Sequence, residues 1–387
     1  EKKNVILDLT PMGMRRCKGD GRNMTAIYGA VHFFVDFACA YLMFSRIYEA
    51  DNWYLCLLLY NFFAFAMQMP VGIFADYKNR NAGMAVWGCI LVAFSYLPAA
   101  AASALAGTGA LGPVWAAAAS VFAGLGNGLF HVGGGLDVLN KSEKSAGLLG
   151  IFVAPGALGI YFGTLFAKQS GDGTEWPVFL LLGAALCIFW CARKSGIWHQ
   201  SGNRPFSVFP EKHLLTKAKK QAAASAVACL FAVVVLRSYL GMIQDFTWKD
   251  SIDAGMILAA AAALGKAAGG FLTDIAGVKK TAAVSVVTAG VLYLFSSHPA
   301  AGILAVFFWN MTMPVTLWAV ARILPGAKGF SFGLLTFALF LGFCPSYLGS
   351  LAFTELFGRP EIGLGILCGV SLVLLRGGSY YAGKYLH

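Results

Sequence analysis

The residues able to do chemistry in this chain stand where its sequence is most apolar. His32 and Asp36 lie four positions apart in the middle of the run 24–44, which carries no other Asp, Glu, Lys, Arg or His. A helix of about 20 residues spans the ~30 Å hydrocarbon layer, and an ionisable group at its centre costs several kcal/mol unless partners or water receive it. Spacing by four puts both side chains on one helical face, roughly 6 Å apart along the axis. An imidazole and a carboxylate so placed can share a proton or a polar ligand, as in the wall of a wet cavity, or can simply glue two helices together.

Two further runs carry comparable groups. His131 follows Asn127 by one turn in the run 113–136, and Arg237 lies in 221–243. Histidine has an intrinsic pKa near ~6.5, so His32, His131 and Asp36 are the candidate proton-coupling residues. A guanidinium keeps its charge and needs an anion, either Asp36 or an acidic group on a solute. Both choices fit one cycle, in which Asp36 holds Arg237 until proton or substrate binding breaks the pair. A permanent Asp36–Arg237 brace is the structural alternative. Asn127 and Asn310, with Trp309 and Trp318 flanking the latter's polar patch, complete the candidate solute-binding set; aromatic residues here can stack on an organic ligand or merely pack. Lys266 either snorkels or lines the cavity.

The elements that must hold these groups follow from composition. The chain has 387 residues, 58% hydrophobic and 12% charged, with a mean hydropathy of +0.68. A soluble domain would be charged at about a quarter of its positions, so this is a polytopic membrane protein. Bulky residues facing lipid and small ones between helices account for 31 Phe and 46 Gly. Nine cysteines show neither a CxxC pair nor a metal-type Cys/His spacing, so no disulfide framework and no metal are expected. The first 23 residues are polar and basic, without the apolar core of a signal peptide.

Apolar runs alternating with polar breaks predict twelve spans: 24–44, 53–75, 83–104, 113–136, 146–167, 176–193, 221–243, 254–273, 281–297, 300–321, 330–352 and 361–382. Of the 29 Lys and Arg, only four (Arg46, Lys168, Lys249 and Arg359) fall on the face opposite the termini and most of the rest on the face of the termini, so both termini are expected to be cytoplasmic. The net charge of +11 is thereby topological and implies no nucleic acid. A basic break at 194–220 divides an amino-terminal segment (1–23) and six-helix bundle (24–193) from a second six-helix bundle (221–387). A repeat crosses that division. Gly72-Ile-Phe-Ala-Asp76 with Lys78 and Arg80, and Gly270-Phe-Leu-Thr-Asp274 with Lys279 and Lys280, recur 198 residues apart. In the fourth span Gly124, Gly126, Gly128 and Gly133 to Gly135 serve either close helix approach or a bending helix.

Twelve spans in two halves, with GxxxD and basic residues closing spans two and eight, resemble the major facilitator superfamily. More narrowly, His32-Phe-Phe-Val-Asp36, Gly124-Leu-Gly-Asn-Gly-Leu-Phe-His131, Leu236-Arg237-Ser238, and Pro314-Val-Thr before Leu324-Pro-Gly326 are similar to motifs of its fosmidomycin-resistance branch, described as proton-driven drug exporters. The resemblance implies an all-α fold of twelve transmembrane helices in two pseudo-symmetric halves. It implies that helices 1, 4, 7 and 10 line a central cavity, and that Asp76 and Arg80, with Asp274 and Lys279, latch helix ends together. The placement of His32, Asp36, His131 and Arg237 on helices 1, 4 and 7, with Asn310 on helix 10, agrees. Pro155-Gly156 among the fifth-span glycines resembles the antiporter motif of the superfamily and leans the reading towards export.

The expected function is therefore secondary transport of a small organic solute or drug by alternating access, coupled to protons and directed outward. Uptake of a small organic anion with protons stays open, as does a membrane ligand sensor. Clustered catalytic carboxylates are missing, so no enzyme and no cofactor are expected. The expected setting is a bacterial inner membrane, with lipid, protons and the solute as partners and the chain as a monomer.

Overall fold

The computed structural model describes residues 19–107, 109, 111–170, 174–199, 207–208, 216–250, 252–349 and 359–386. Residues 1–18, most of the 194–220 linker and the end of the expected 330–352 span lie outside them.

In hydrocarbon an apolar segment must satisfy its own backbone, which a helix does. Among the described residues there is accordingly no strand. The first six crossings are α1 (Gly19–Ser45), α2 (Trp53–Lys78), α3 (Asn81–Ala104), α4 (Leu111–Lys141), α5 (Gly147–Ser170) and α6 (Trp176–Lys194). The second six are α7 (Lys217–Ile243), α8 (Ile252–Ala276), α9 (Val278–Tyr293), α10 (Pro299–Ile323), α11 (Lys328–Tyr347) and α12 (Pro360–Leu386). Eleven of them are long and apolar enough to cross a membrane. The exception, α9, has 16 residues, about 24 Å of helix at 1.5 Å per residue. It ends at Tyr293, four residues before the limit expected from sequence, and turns lead on to Pro299.

Three crossings are interrupted, each for a local reason. In α2 a π-helical turn at Phe62–Ala66 lets the Met67 N–H reach the Phe62 carbonyl at 3.1 Å. α3 resets at Ser95 and α10 at Met311, each three residues before a proline (Pro98, Pro314) whose missing N–H frees the carbonyl four residues back. α4, by contrast, runs unbroken for 31 residues. Its glycines serve close approach rather than a bend: a Cβ on Gly126 would lie 2.6 Å from the Val92 nitrogen of α3.

Helices α1–α6 pack mainly on one another, as do α7–α12, giving two six-helix halves. The halves meet along α2 with α11 and α5 with α8, two matching seams. At the first, a Cβ on Gly72 would sit 2.1 Å from the Gly329 carbonyl oxygen, so only glycine lets these backbones touch.

Candidate functional site

Between the halves lies a cavity of about 980 Å³. Its floor is formed by Phe152 of α5 and Phe332 of α11, whose rings meet across the halves with centroids 6.5 Å apart. From there it runs past His32, Asp36 and Arg237 to Tyr48 and Lys249, in the connections that follow α1 and α7.

One wall belongs to the first half. His32 and Asp36 are 5% and 9% exposed, and His32 Nε2 lies 3.1 Å from Asp36 Oδ2, as their spacing predicts. α4 then brings His131 against them: its Nε2 is 2.8 Å from His32 Nε2 and 3.7 Å from Asp36 Oδ1. Asn127 donates to Asp36 Oδ1 at 3.1 Å. The outer ring nitrogens are also engaged, His32 Nδ1 with the Phe152 carbonyl at 2.7 Å and His131 Nδ1 with the Asn127 carbonyl at 2.9 Å. A carbonyl can only accept, so both Nδ1 atoms carry hydrogen, and the two Nε2 atoms are the ones turned inward on Asp36 and on each other.

The facing wall is cationic. Arg237 of α7 is 8% exposed and donates through one guanidinium nitrogen to Thr316 Oγ1 of α10 at 3.2 Å. Lys266 of α8 lines the same cavity. Among the described residues no carboxylate stands within ion-pair distance of either. Asp36, expected to hold Arg237, instead faces two histidines and Asn127. Trp309 and Asn310 line the cavity at the break in α10, the indole donating to the Arg237 carbonyl at 3.4 Å and the Asn310 amide to the Val306 carbonyl at 2.9 Å. Trp318 does not line it. It lies two turns further along α10 and donates to the Ser142 carbonyl at 2.8 Å, in the connection between α4 and α5.

The far end of each seam is closed by a carboxylate. Asp76, ending α2, accepts the backbone N–H of Gly329 at 2.8 Å and of Phe330 at 2.9 Å at the start of α11. Asp274, ending α8, accepts from Ala146 at 2.6 Å, Gly147 at 3.1 Å and the Ser145 hydroxyl at 2.6 Å at the start of α5. Free N–H groups and the positive end of the helix dipole favour an anion at each place. Arg80 and Lys279, expected as basic members of these contacts, form no ion pair among the described residues, and Lys279 faces a small apolar pocket beside Trp318.

Sequence reasoning missed Asp137, because the fourth span was expected to end at 136. The helix continues to Lys141, and Asp137 is buried between Tyr28 of α1 (2.7 Å) and Asn81 of α3 (2.9 Å). The apolar Val138 and Leu139 beyond it were the available signal.

Similar architecture occurs in solved transporters. The Escherichia coli fucose:proton symporter is 12% identical, with a TM-score of 0.65 over 92% of this chain and 98% of its own. A bacterial homologue of the iron transporter ferroportin, in an outward-facing state, is 14% identical, with a TM-score of 0.59 over 94% and 99%. The human organic anion transporter MFSD10 is 12% identical, with a TM-score of 0.60 over 94% and 100%. The chain has the major facilitator fold. No protein-family model matches the sequence, and no curated protein matches it. Within this major facilitator fold, the two seams and their carboxylate caps recur once in each half.

Proposed function

We propose that this protein is a secondary active transporter that moves a small organic anion across the membrane by alternating access. The observation that carries the reading is the pair of cations, Arg237 and Lys266, lining a cavity of about 980 Å³ with no carboxylate among the described residues within ion-pair distance of either. Unpaired charge at membrane depth is costly, so an acidic group of the solute is the natural counter-ion, with Trp309 and Asn310 beside it. Rocking of the halves about this midplane site would undo the Asp76 and Asp274 caps and close the end at Tyr48 and Lys249. With the termini on the cytoplasmic side, the conformation described is outward-facing. The two six-helix bundles, bounded at 24–193 and 221–387, are the moving bodies.

Counterflow in proteoliposomes tests the reading. Labelled carboxylates and phosphonates exchange against themselves, neutral analogues of the same size do not, and Arg237→Ala abolishes the difference. Equal exchange of charged and neutral solutes, or of none, overturns it. Proton-driven export is the finer reading that the motif resemblance supports. Net efflux that responds to an imposed pH gradient sustains it; indifference removes the proton and leaves the anion.

A further inference from the structure

The inward-facing nitrogens of His32 and His131 pose a problem of charge. Both Nδ1–H groups are committed to carbonyls, so when the rings are neutral two Nε2 lone pairs face each other across 2.8 Å, with the Asp36 carboxylate alongside. Such an arrangement is repulsive unless a positive centre lies between the ligand atoms. The atoms converge as a set: one from each of the three side chains, all within 4.8 Å of one another.

We propose that His32 Nε2, His131 Nε2 and an Asp36 oxygen form a tripodal site for a divalent transition-metal ion, whose remaining coordination positions face the cavity and take water or an oxygen of the anionic solute. Two imidazoles and one carboxylate suit borderline ions of the zinc, iron, cobalt or nickel type and leave open positions. The surroundings match what such ligands require. Each imidazole is oriented by a hydrogen bond from its other nitrogen to a backbone carbonyl, and Asn127 holds the carboxylate. Arg237 and Lys266 oppose a bare cation in the same cavity and favour a metal that arrives with an anion. Only this last point, the shared solute, rests on the proposed function; the ligand set stands without it.

The test uses the full-length chain, freed of any affinity tag, stripped with a chelator and titrated with Co²⁺ alone. One Co²⁺ binds per chain, with the visible absorption of a nitrogen and oxygen site, and Zn²⁺ displaces it. Asp36→Ala and His131→Ala each lower affinity by at least roughly tenfold, while His298→Ala, an exposed histidine outside the cavity, leaves it unchanged. X-ray absorption of the Zn²⁺-loaded wild type counts two imidazole nitrogens, which keeps the test decisive should a variant misfold. No saturable binding, meaning that a proton alone bridges the rings, overturns the site. So does binding that survives His131→Ala, an adventitious ion only. Anion exchange without Co²⁺ binding sinks the metal site and spares the transporter; Co²⁺ binding without exchange does the reverse.

Discussion

Asp76 and Asp274 stand 198 residues apart in the chain and perform the same act on opposite halves, each capping the first turn of a helix that belongs to the other bundle. A helix cap of this kind is worth about 1 kcal/mol, roughly a fivefold change in an equilibrium. Asp274→Ala should therefore raise the population opened at this end about fivefold, and the double variant with Asp76→Ala more. Spin-label distances between the start of α5 and the end of α8 measure it. An unchanged distance distribution would show that the caps do not hold the seams.

Arg237 and Lys266 are the proposed anion contacts. Arg237→Ala and Lys266→Ala should each raise the KM of an acidic solute far more than that of a neutral analogue. Thr316→Val, which removes the hydroxyl that accepts from Arg237 and donates back to the Thr312 carbonyl of its own helix, should cost about 1 kcal/mol, roughly fivefold in affinity. Counterflow titrations read all three. Equal weakening for charged and neutral solutes would make Arg237 a brace.

Gly156 of α5 faces the His32–Asp36 pair so closely that an added Cβ would lie 2.4 Å from His32 Nε2 and 2.5 Å from Asp36 Oδ2. Gly156→Ala should displace the pair and abolish Co²⁺ binding. Gly183→Ala, where a Cβ meets nothing within 4 Å, should do neither. Cobalt absorption of both variants checks this.

The Tyr28–Asp137–Asn81 network ties α1, α3 and α4 away from the cavity. Tyr28→Phe leaves a buried carboxylate short of one donor and should destabilise the protein by about 1–3 kcal/mol, lowering the thermal midpoint in detergent while leaving the KM for the solute unchanged. A shifted KM would place Asp137 in the transport path.

Hydropathy and charge are local properties read one residue at a time, and the thickness of a bilayer turns them directly into helices. For that reason the crossings, the division into halves, the duplicated GxxxD and the buried faces of helices 1, 4 and 7 were legible in the amino-acid order alone. Even the i, i+4 pairing of His32 with Asp36 needs nothing beyond helical geometry. Which partner each charge takes is different, because it depends on how helices a hundred residues apart are rotated and seated. Only the packing of α1 against α4 gives Asp36 to His131 and Asn127 instead of Arg237, and only the glycine seams bring backbone N–H groups within reach of Asp76 and Asp274. Tertiary structure likewise carries Trp318 out of the cavity, onto the Ser142 carbonyl. These outcomes turn on side-chain contacts of a few ångströms between distant segments, a quantity no one-dimensional pattern contains.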